Sequence, residues 1–488
     1  MDREIKKINT ILTDLSNAAV KMEEEAVKNA SFDDISTAEI HTLSAVGNGR
    51  PKTMTHVANI LGVNVSTLTT AVNRLVKKGY VERLRDDTDR RIVKLRLTEK
   101  GSFAVEENEK FHEDLIREAI SRFSDSQLRQ FISSIDNITQ FLTERTVLPC
   151  VRKESFRCEP IKLGPHLLPV PLVQAGMSIG VAGSELASSV AKQGGLGLIG
   201  TSELGYRSKK YDTDRMAANA EAVEREVSLA RRRTEEAKGG GLIGASIVWG
   251  GVESAEYVAA ALKGGAQVIV TSGGIPKDLP RYCTDKKTAL VPTISSVRAA
   301  SAIIKTWAQK YNRKPDGFIF QGPHAAGLLG FRKDQIYRAE EEFYMTIASV
   351  KAELTKTEDC PLIVGGGIFD RRDAEKAYKY GADGFLMGTR FVATRECDAP
   401  EEFKRLYLNC SEKDVTIIRS PGNKSVRAMK NSFTERLSCE PRLSYDLIEA
   451  VRRAMNGDFE DGLVFLSESV GRISSICNVE DIFREFTV

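Results

Sequence analysis

The chain has 488 residues, 41% of them hydrophobic and 28% charged, and a formal net charge of +3. That composition is ordinary for a globular chain and excludes a disordered one, and a charge so close to zero argues neither for nor against nucleic acid, so any nucleic-acid face must come from local placement. The absence of an apolar run of about 18 residues speaks against a transmembrane helix, and the charged opening at residues 1–7 against a secretory signal, so no membrane association and a cytoplasmic location are expected.

The elements begin with a helical stripe, Ile5, Ile8, Leu12, Leu15, Ala19 and Met22, and a matching stripe, Leu128, Phe131, Ile135, Ile138 and Leu142, closes the first part of the chain. Two such flanking stripes exceed what a small unit can bury alone, which predicts a homodimer. Between them, residues 54–61 read as one helix, Gly62 as a turn, and Asn64 as the cap of a second helix reaching Lys78. One face of that second helix is apolar (Val65, Leu68, Val72, Leu75, Val76). The other carries Ser66, Thr67, Thr69, Thr70, Asn73 and Arg74, groups able to contact phosphates and base edges of double-stranded DNA. Residues 80–85 and 92–97 then form a hairpin whose tip bears Arg90 and Arg91, suited to probing a minor groove.

Composition changes near residue 150. Residues 146–165 hold three prolines without periodicity and read as a linker. Beyond it come eight short apolar runs, starting near Pro171, Leu196, Leu242, Ala266, Ala289, Gly317, Pro361 and Gly384, each followed by helical sequence. Unbroken apolar runs suit parallel strands buried on both faces, and eight βα units suggest a closed (β/α)8 TIM barrel, with a doubly wound open sheet as the alternative. The expected order is therefore a helix-rich winged-helix domain at 1–146, a linker at 147–165 and an α/β barrel at 166–488. Glycine clusters follow the seventh run (Gly365, Gly366, Gly367) and the eighth (Gly388, before Thr389), where such barrels usually bind phosphate. The eight cysteines form no CxxC pair and no Cys/His cluster has zinc spacing, so reduced thiols and no metal are expected.

The segment LGVNVSTLTTAVNRLVKKGYVERLRDDTDRRIVKLRLTEKG resembles the MarR family of winged-helix regulators, and DISTAEIHTL is similar to its members that repress bacterial fatty-acid synthesis genes. VQAGM, GGLGLIG, TSGGIP, QGPHAAGLLG, GGGI, GADGFLMGTRFVAT and RSPGNKSVRAMKNSF, in that order, resemble the nitronate monooxygenase family, once called 2-nitropropane dioxygenases, and the related flavin-dependent enoyl-ACP reductase II. The resemblance implies FMN as cofactor. It would set Ala175, Gly176 and Met177 along the flavin ring, Gln321 and Gly322 at the ring or ribityl chain, and Gly366, Gly367, Gly388 and Thr389 at the phosphate. The family's flavin-facing asparagine aligns with Ser246, and its catalytic histidine with Leu328, which cannot move a proton. His324, four residues earlier, is the candidate replacement. Three functions follow. One is an FMN-dependent oxidoreductase tethered to a transcription regulator. Another is a regulator that senses flavin state or a small-molecule ligand with little turnover. The third is an enoyl-ACP reductase II-like enzyme using NAD(P)H.

Overall fold

The computed structural model describes residues 10, 18, 21–22, 34–48, 51–61, 63, 65–85, 93–121, 123–124, 127–128, 130–132, 134, 152, 154–251, 253–356, 360–439 and 446–487. The chain divides into two compact units, Met1–Thr139 and Gln140–Val488.

In the first unit, α1 (Thr37–Val46), α2 (Met54–Leu61), α3 (Val65–Lys77) and α4 (Glu99–Ile120) pack with a three-stranded antiparallel sheet. Its strands are β1 (Lys52–Thr53), β2 (Val81–Arg85) and β3 (Val93–Leu97), in the order β1-β3-β2. Ser36 and Glu39 form a reciprocal capping box that starts α1, satisfying backbone donors that the first turn leaves free. The periodic stripe on α3 does what its spacing predicts: Leu68, Val72 and Leu75 are buried with Leu43, Val57, Tyr80 and Leu95. The β2–β3 pairing, Val81↔Leu97 through Arg85↔Val93, makes the wing, and Gly79, at a φ of 78°, turns the chain out of α3. Most of the opening stripe (Ile5, Ile8, Leu12, Leu15, Ala19) and of the closing one (Ile135, Ile138, Leu142) lies outside the described residues, as do Gly62, Asn64, Arg90 and Arg91. From those stripes, Met22 and Phe131 are described and exposed, and Phe131 stacks on Phe123 with ring centroids 5.3 Å apart.

In the second unit, β4 (Ile161–Leu163) and β5 (His166–Leu168) form a hairpin ahead of the barrel strands β6 (Leu172–Gln174), β7 (Leu196–Gly200), β8 (Leu242–Val248), β9 (Val268–Ser272), β10 (Ala289–Ile294) and β11 (Phe318–Gln321). After β12 (Gly327–Leu328), β13 (Leu362–Gly365) and β14 (Gly384–Met387) complete the closed parallel barrel, ordered β6-β7-β8-β9-β10-β11-β13-β14. All eight apolar runs became barrel strands. Their uniform apolarity hides a two-residue alternation. On β8, Leu242 belongs to the barrel interior with Val268, Val270 and Ile319, whereas Ile243, Ala245 and Ile247 pack outward against the helices. Both faces are dry, so the pattern could not show as polar against apolar.

The expected linker behaves differently from its sequence reading. Leu163 and Leu168 of the hairpin are fully buried in the barrel-interior cluster, and the Gly164 turn, at a φ of 54°, joins them. Upstream, the Arg152 backbone N–H donates to Lys379 (2.8 Å) and its guanidinium pairs with Asp383 while covering Tyr378. The stretch looked irregular because its two strands have three residues each, too short for a period to register.

Candidate functional site

The C-terminal ends of the barrel strands surround a cavity of about 270 Å³. Inward-facing side chains form its floor and sides: Leu198, Val270 and Ile319 from the top of the apolar interior, with Leu386 packed against them, and Ser246, Thr293 and Gln321 beside them. A further antiparallel sheet joins β12 to β16 (Ser425–Met429), Leu328 opposite Val426 and Gly327 opposite Arg427, and β16 in turn to β15 (Val415–Arg419).

The first wall is the Ala175, Gly176, Met177 turn after β6. Gln174, wholly buried, accepts from Leu198 N–H (3.1 Å) and donates to Leu198 O (3.2 Å), tying β6 to β7. Ala175 N–H donates to Met387 O (2.9 Å) and ties it to β14. A Cβ on Gly176 would fall 2.1 Å from the Ser246 Cβ, so the two residues close this wall only because one has no side chain and the other a small one.

Next to this turn comes the Gly388 loop after β14, and beyond it the 365–367 loop after β13. Gly366 and Gly367 take φ values of 72° and 141°, and a Cβ on Gly366 would meet Gly322 O at 2.7 Å. Among the described residues the backbone N–H groups of Gly366, Gly367 and Thr389 have no protein acceptor. The Thr389 hydroxyl shares a hydrogen bond with Ser467 (2.8 Å), and Ser467 with Ser469 (2.7 Å), so a chain of hydroxyls continues the polar edge of the cavity. These glycines and hydroxyls supply donors without charge, the makings of an anion cradle.

Of the residues singled out in the barrel, Ala175, Gly176, Met177, Ser246, Gln321, His324, Gly366, Gly367, Gly388 and Thr389 all line this one cavity. Gly322 does not. Its N–H donates to Gly365 O (2.7 Å), and a Cβ there would strike the Phe343 ring at 2.3 Å and Gly366 O at 2.4 Å, so it permits close packing behind the glycine loop. Gln321 reaches back to donate to Leu328 O (3.0 Å), which fixes the loop that carries Leu328 as a lining residue.

His324 is held by groups distant in sequence. Its Nδ1 lies 2.9 Å from Glu468 and 4.0 Å from Glu340, and its ring meets Phe343 edge-on at 6.0 Å. Arg427, 2% exposed, pairs with Glu468, with Glu340 (3.0 Å) and with Pro323 O (2.9 Å). The hydrogen bond from His324, ahead of the Arg427 charge, holds the Glu468 carboxyl below its usual range against the opposing effect of burial. His324, Glu340 and Glu468 bring their ligand atoms within 4.8 Å of one another, but the guanidinium already serves both carboxylates as their cation. Glu468 is 144 residues from His324, and no local pattern pointed to it; Arg427 stood within a quoted motif without an assigned role. Phe403, Tyr407, Phe465, Ser467 and Ser469 also line the cavity from late segments that the sequence reading left unassigned.

On α3 of the first unit, Thr67, Thr70, Asn73 and Arg74 are exposed and Thr69 half-buried, opposite the buried stripe. Asn73 Oδ1 accepts from Arg83 of the wing strand β2 (2.6 Å), which links helix and wing. The Ser66 side chain, Arg90 and Arg91 are outside the described residues.

A winged helix-turn-helix unit and a TIM barrel with a glycine-lined cavity at its C-terminal face define a two-part protein: a regulator-type module joined to an enzyme-type module. The chain belongs to the nitronate monooxygenase family, whose model matches residues 243–488, and its N-terminal unit matches the MarR family over residues 33–92. It is similar to a probable nitronate monooxygenase of Staphylococcus aureus, 25% identical over 293 residues that cover 55% of this chain and 77% of that protein. An octahydro-1H-indene-4-carboxyl-CoA dehydrogenase of Mycobacterium tuberculosis is 24% identical over 272 residues, and the match spans 66% of that protein and 56% of this chain. Among solved structures, FabK from Thermotoga maritima aligns at a TM-score of 0.52 and 24% identity over 65% of this chain and 92% of its own, a likeness of fold. FabT of Streptococcus pneumoniae in complex with DNA is 33% identical and covers 29% of this chain and 99% of its own, with a TM-score of 0.28. Among the described residues no helix is long and apolar enough to cross a membrane.

Proposed function

We propose that the chain is a DNA-binding regulator whose barrel holds FMN, and that the barrel's own chemistry is confined to substrates needing no protein base, such as nitronates. The observation that carries this reading is the pairing of an intact glycine cradle with Leu328 at the cavity wall where the family places its catalytic histidine.

The residues present fit the cofactor. Gly366, Gly367, Gly388 and Thr389 would hold the phosphate through backbone N–H groups and the Thr389 hydroxyl, and Gly366 and Gly367 do so at φ values that a side-chain-bearing residue rarely adopts. Ala175, Gly176, Met177 and Ser246 would lie along the ring, and Gln321 would reach its edge or the ribityl chain. When bound, FMN supplies the capacity to accept a pair of electrons from a substrate. The protein's task is to orient the substrate carbon and manage its proton. A neutral nitroalkane or an enoyl thioester needs a proton taken or given; a nitronate arrives deprotonated. Leu328 offers no such group, so substrate range contracts to the anion. NAD(P)H serves as donor only in the enoyl reductase reading, which asks the same missing acid of the site.

The first unit supports duplex recognition by a dimer. The exposed polar face of α3 suits the major groove and the wing an adjacent minor groove, and exposed Phe103, Ile116, Phe123, Phe131 and Ile132 offer apolar surface to a second copy. Purified full-length protein assayed against nitronate, nitroalkane and enoyl thioester with NADH tests the barrel. Modest turnover of the nitronate alone, or none, is expected; brisk turnover of neutral substrates overturns the reading. Selection of duplexes from genomic DNA should recover a pseudo-palindromic site with half-sites about one helical turn apart.

A further inference from the structure

We infer that His324 is the charged partner of an anionic group seated in the glycine cradle, the cofactor's phosphate, and does not act as a proton-transferring group at the flavin ring. The inference rests on the FMN reading above.

Its first support is position. A Cβ built on Gly367 would stand 3.4 Å from His324 Cδ2, the ring carbon bonded to Nε2. A Cβ on Gly366 would stand 2.9 Å from the Cβ of Ala325. Residues 324 and 325 therefore form the wall of the 366–367 loop, and the free edge of the imidazole faces that loop. The residues assigned to the ring, Gly176 and Ser246, pack on each other in a different wall of the cavity.

The second support is hydrogen bonding. Nδ1 is engaged by Glu468, and Nε2 has no protein partner among the described residues although His324 lines the cavity. A histidine fixed at Nδ1 by a carboxylate points its other nitrogen in one direction, as metal and catalytic histidines do.

Charge balance is the third. Glu340 and Glu468 bring two negative charges to the cluster, and Arg427 returns one. Among the described groups in contact there, an imidazolium at His324 would return the missing positive charge, and in that form Nε2 would be a donor facing the loop. The terminal nitrogens of Arg427 serve its carboxylates and Pro323 O, and Arg427 does not line the cavity, so it does not itself meet the anion. Arg390, which also lines the cavity, gives its guanidinium to Glu485 and Phe369 O, and the cradle's remaining donors are neutral backbone groups and hydroxyls, which leaves His324 as its charge-assisted contact.

Riboflavin has the same ring as FMN and lacks the phosphate, so the two ligands separate the alternatives. Binding of each to deflavinated full-length protein is measured by flavin fluorescence quenching for wild type, His324→Gln and Glu468→Gln. The expected result for His324→Gln is FMN affinity reduced roughly ten- to a hundredfold, the range for a lost charge-assisted hydrogen bond, with riboflavin affinity unchanged. Glu468→Gln, which loosens the ring without removing it, should lower FMN affinity by a smaller factor and also spare riboflavin. Unchanged FMN affinity in His324→Gln overturns the inference, and so does an equal loss for both ligands. Wild type that binds neither flavin refutes the FMN reading itself.

Discussion

Replacing Leu328 by histidine puts an imidazole back where the family's proton-transferring group belongs. The backbone there is already fixed: Gly327 and Leu328 pair with Arg427 and Val426 of β16, and Leu328 O accepts from Gln321 at 3.0 Å. The side chain is half-buried and lines the cavity, so the exchange trades apolar contacts for a polar ring that can reach the cavity contents. Stability should fall by about 1 kcal/mol, the usual cost of such a swap. A positioned acid/base group typically contributes ~10²–10⁴-fold, or roughly 3–5 kcal/mol of barrier. The lower end is expected because the grafted ring lacks the carboxylate that orients His324. Steady-state oxidation of a nitroalkane and of its nitronate should be followed side by side on FMN-loaded protein. The ratio of neutral to anionic turnover should rise about a hundredfold in Leu328→His, with nitronate oxidation nearly unchanged. Flavin-loaded Leu328→His showing no change in that ratio would falsify the claim that position 328 limits the chemistry.

Four further outcomes follow from the same geometry. Gly176→Ala drives a Cβ to 2.1 Å from the Ser246 Cβ, so it should lose flavin and about 1–3 kcal/mol of stability, read by absorbance and thermal melts. Arg427→Met strands two carboxylates; because Glu340 and Glu468 are partly exposed, a loss of about 2–3 kcal/mol is expected in urea unfolding, below the cost of a fully buried pair. Glu468 titrates below its unfolded value near 4.5, so its stabilisation is complete above that pH and disappears as pH falls through the lower folded value. Accordingly, wild type and Glu468→Gln should converge in stability on acidification. Arg74→Ala, at an exposed position on α3, should weaken duplex binding and flatten its salt dependence by about one phosphate contact.

The two folds were readable because each leaves a repeating local mark. The stripe Leu68, Val72, Leu75 announced α3, and eight apolar runs announced eight strands. The glycines at 366–367 and 388 drew attention to the ends of β13 and β14 because glycine is a local mark, and at 366–367 the backbone takes positive φ. The setting of His324 was not readable: its partners Glu468, Arg427 and Glu340 come from three segments that only the tertiary fold brings together. Sequence spacing offered His324 as a relocated base by its nearness to Leu328; the distance to Gly367 directs it to the cradle. Gly322 stands in the converse position: it does not line the cavity. Its motif placed it at the cofactor, while its missing side chain makes room for Phe343. The hairpin at residues 161–168 escaped notice because its buried residues, Leu163 and Leu168, complete a core whose other members lie in the barrel strands.

The most direct measurement is the flavin content of the full-length protein purified without added cofactor, with the acid-released pigment separated by chromatography. One equivalent of FMN per chain, retained by wild type and lost in Gly176→Ala, is the expected result. A colourless protein that takes up no added FMN while its barrel remains folded contradicts the account.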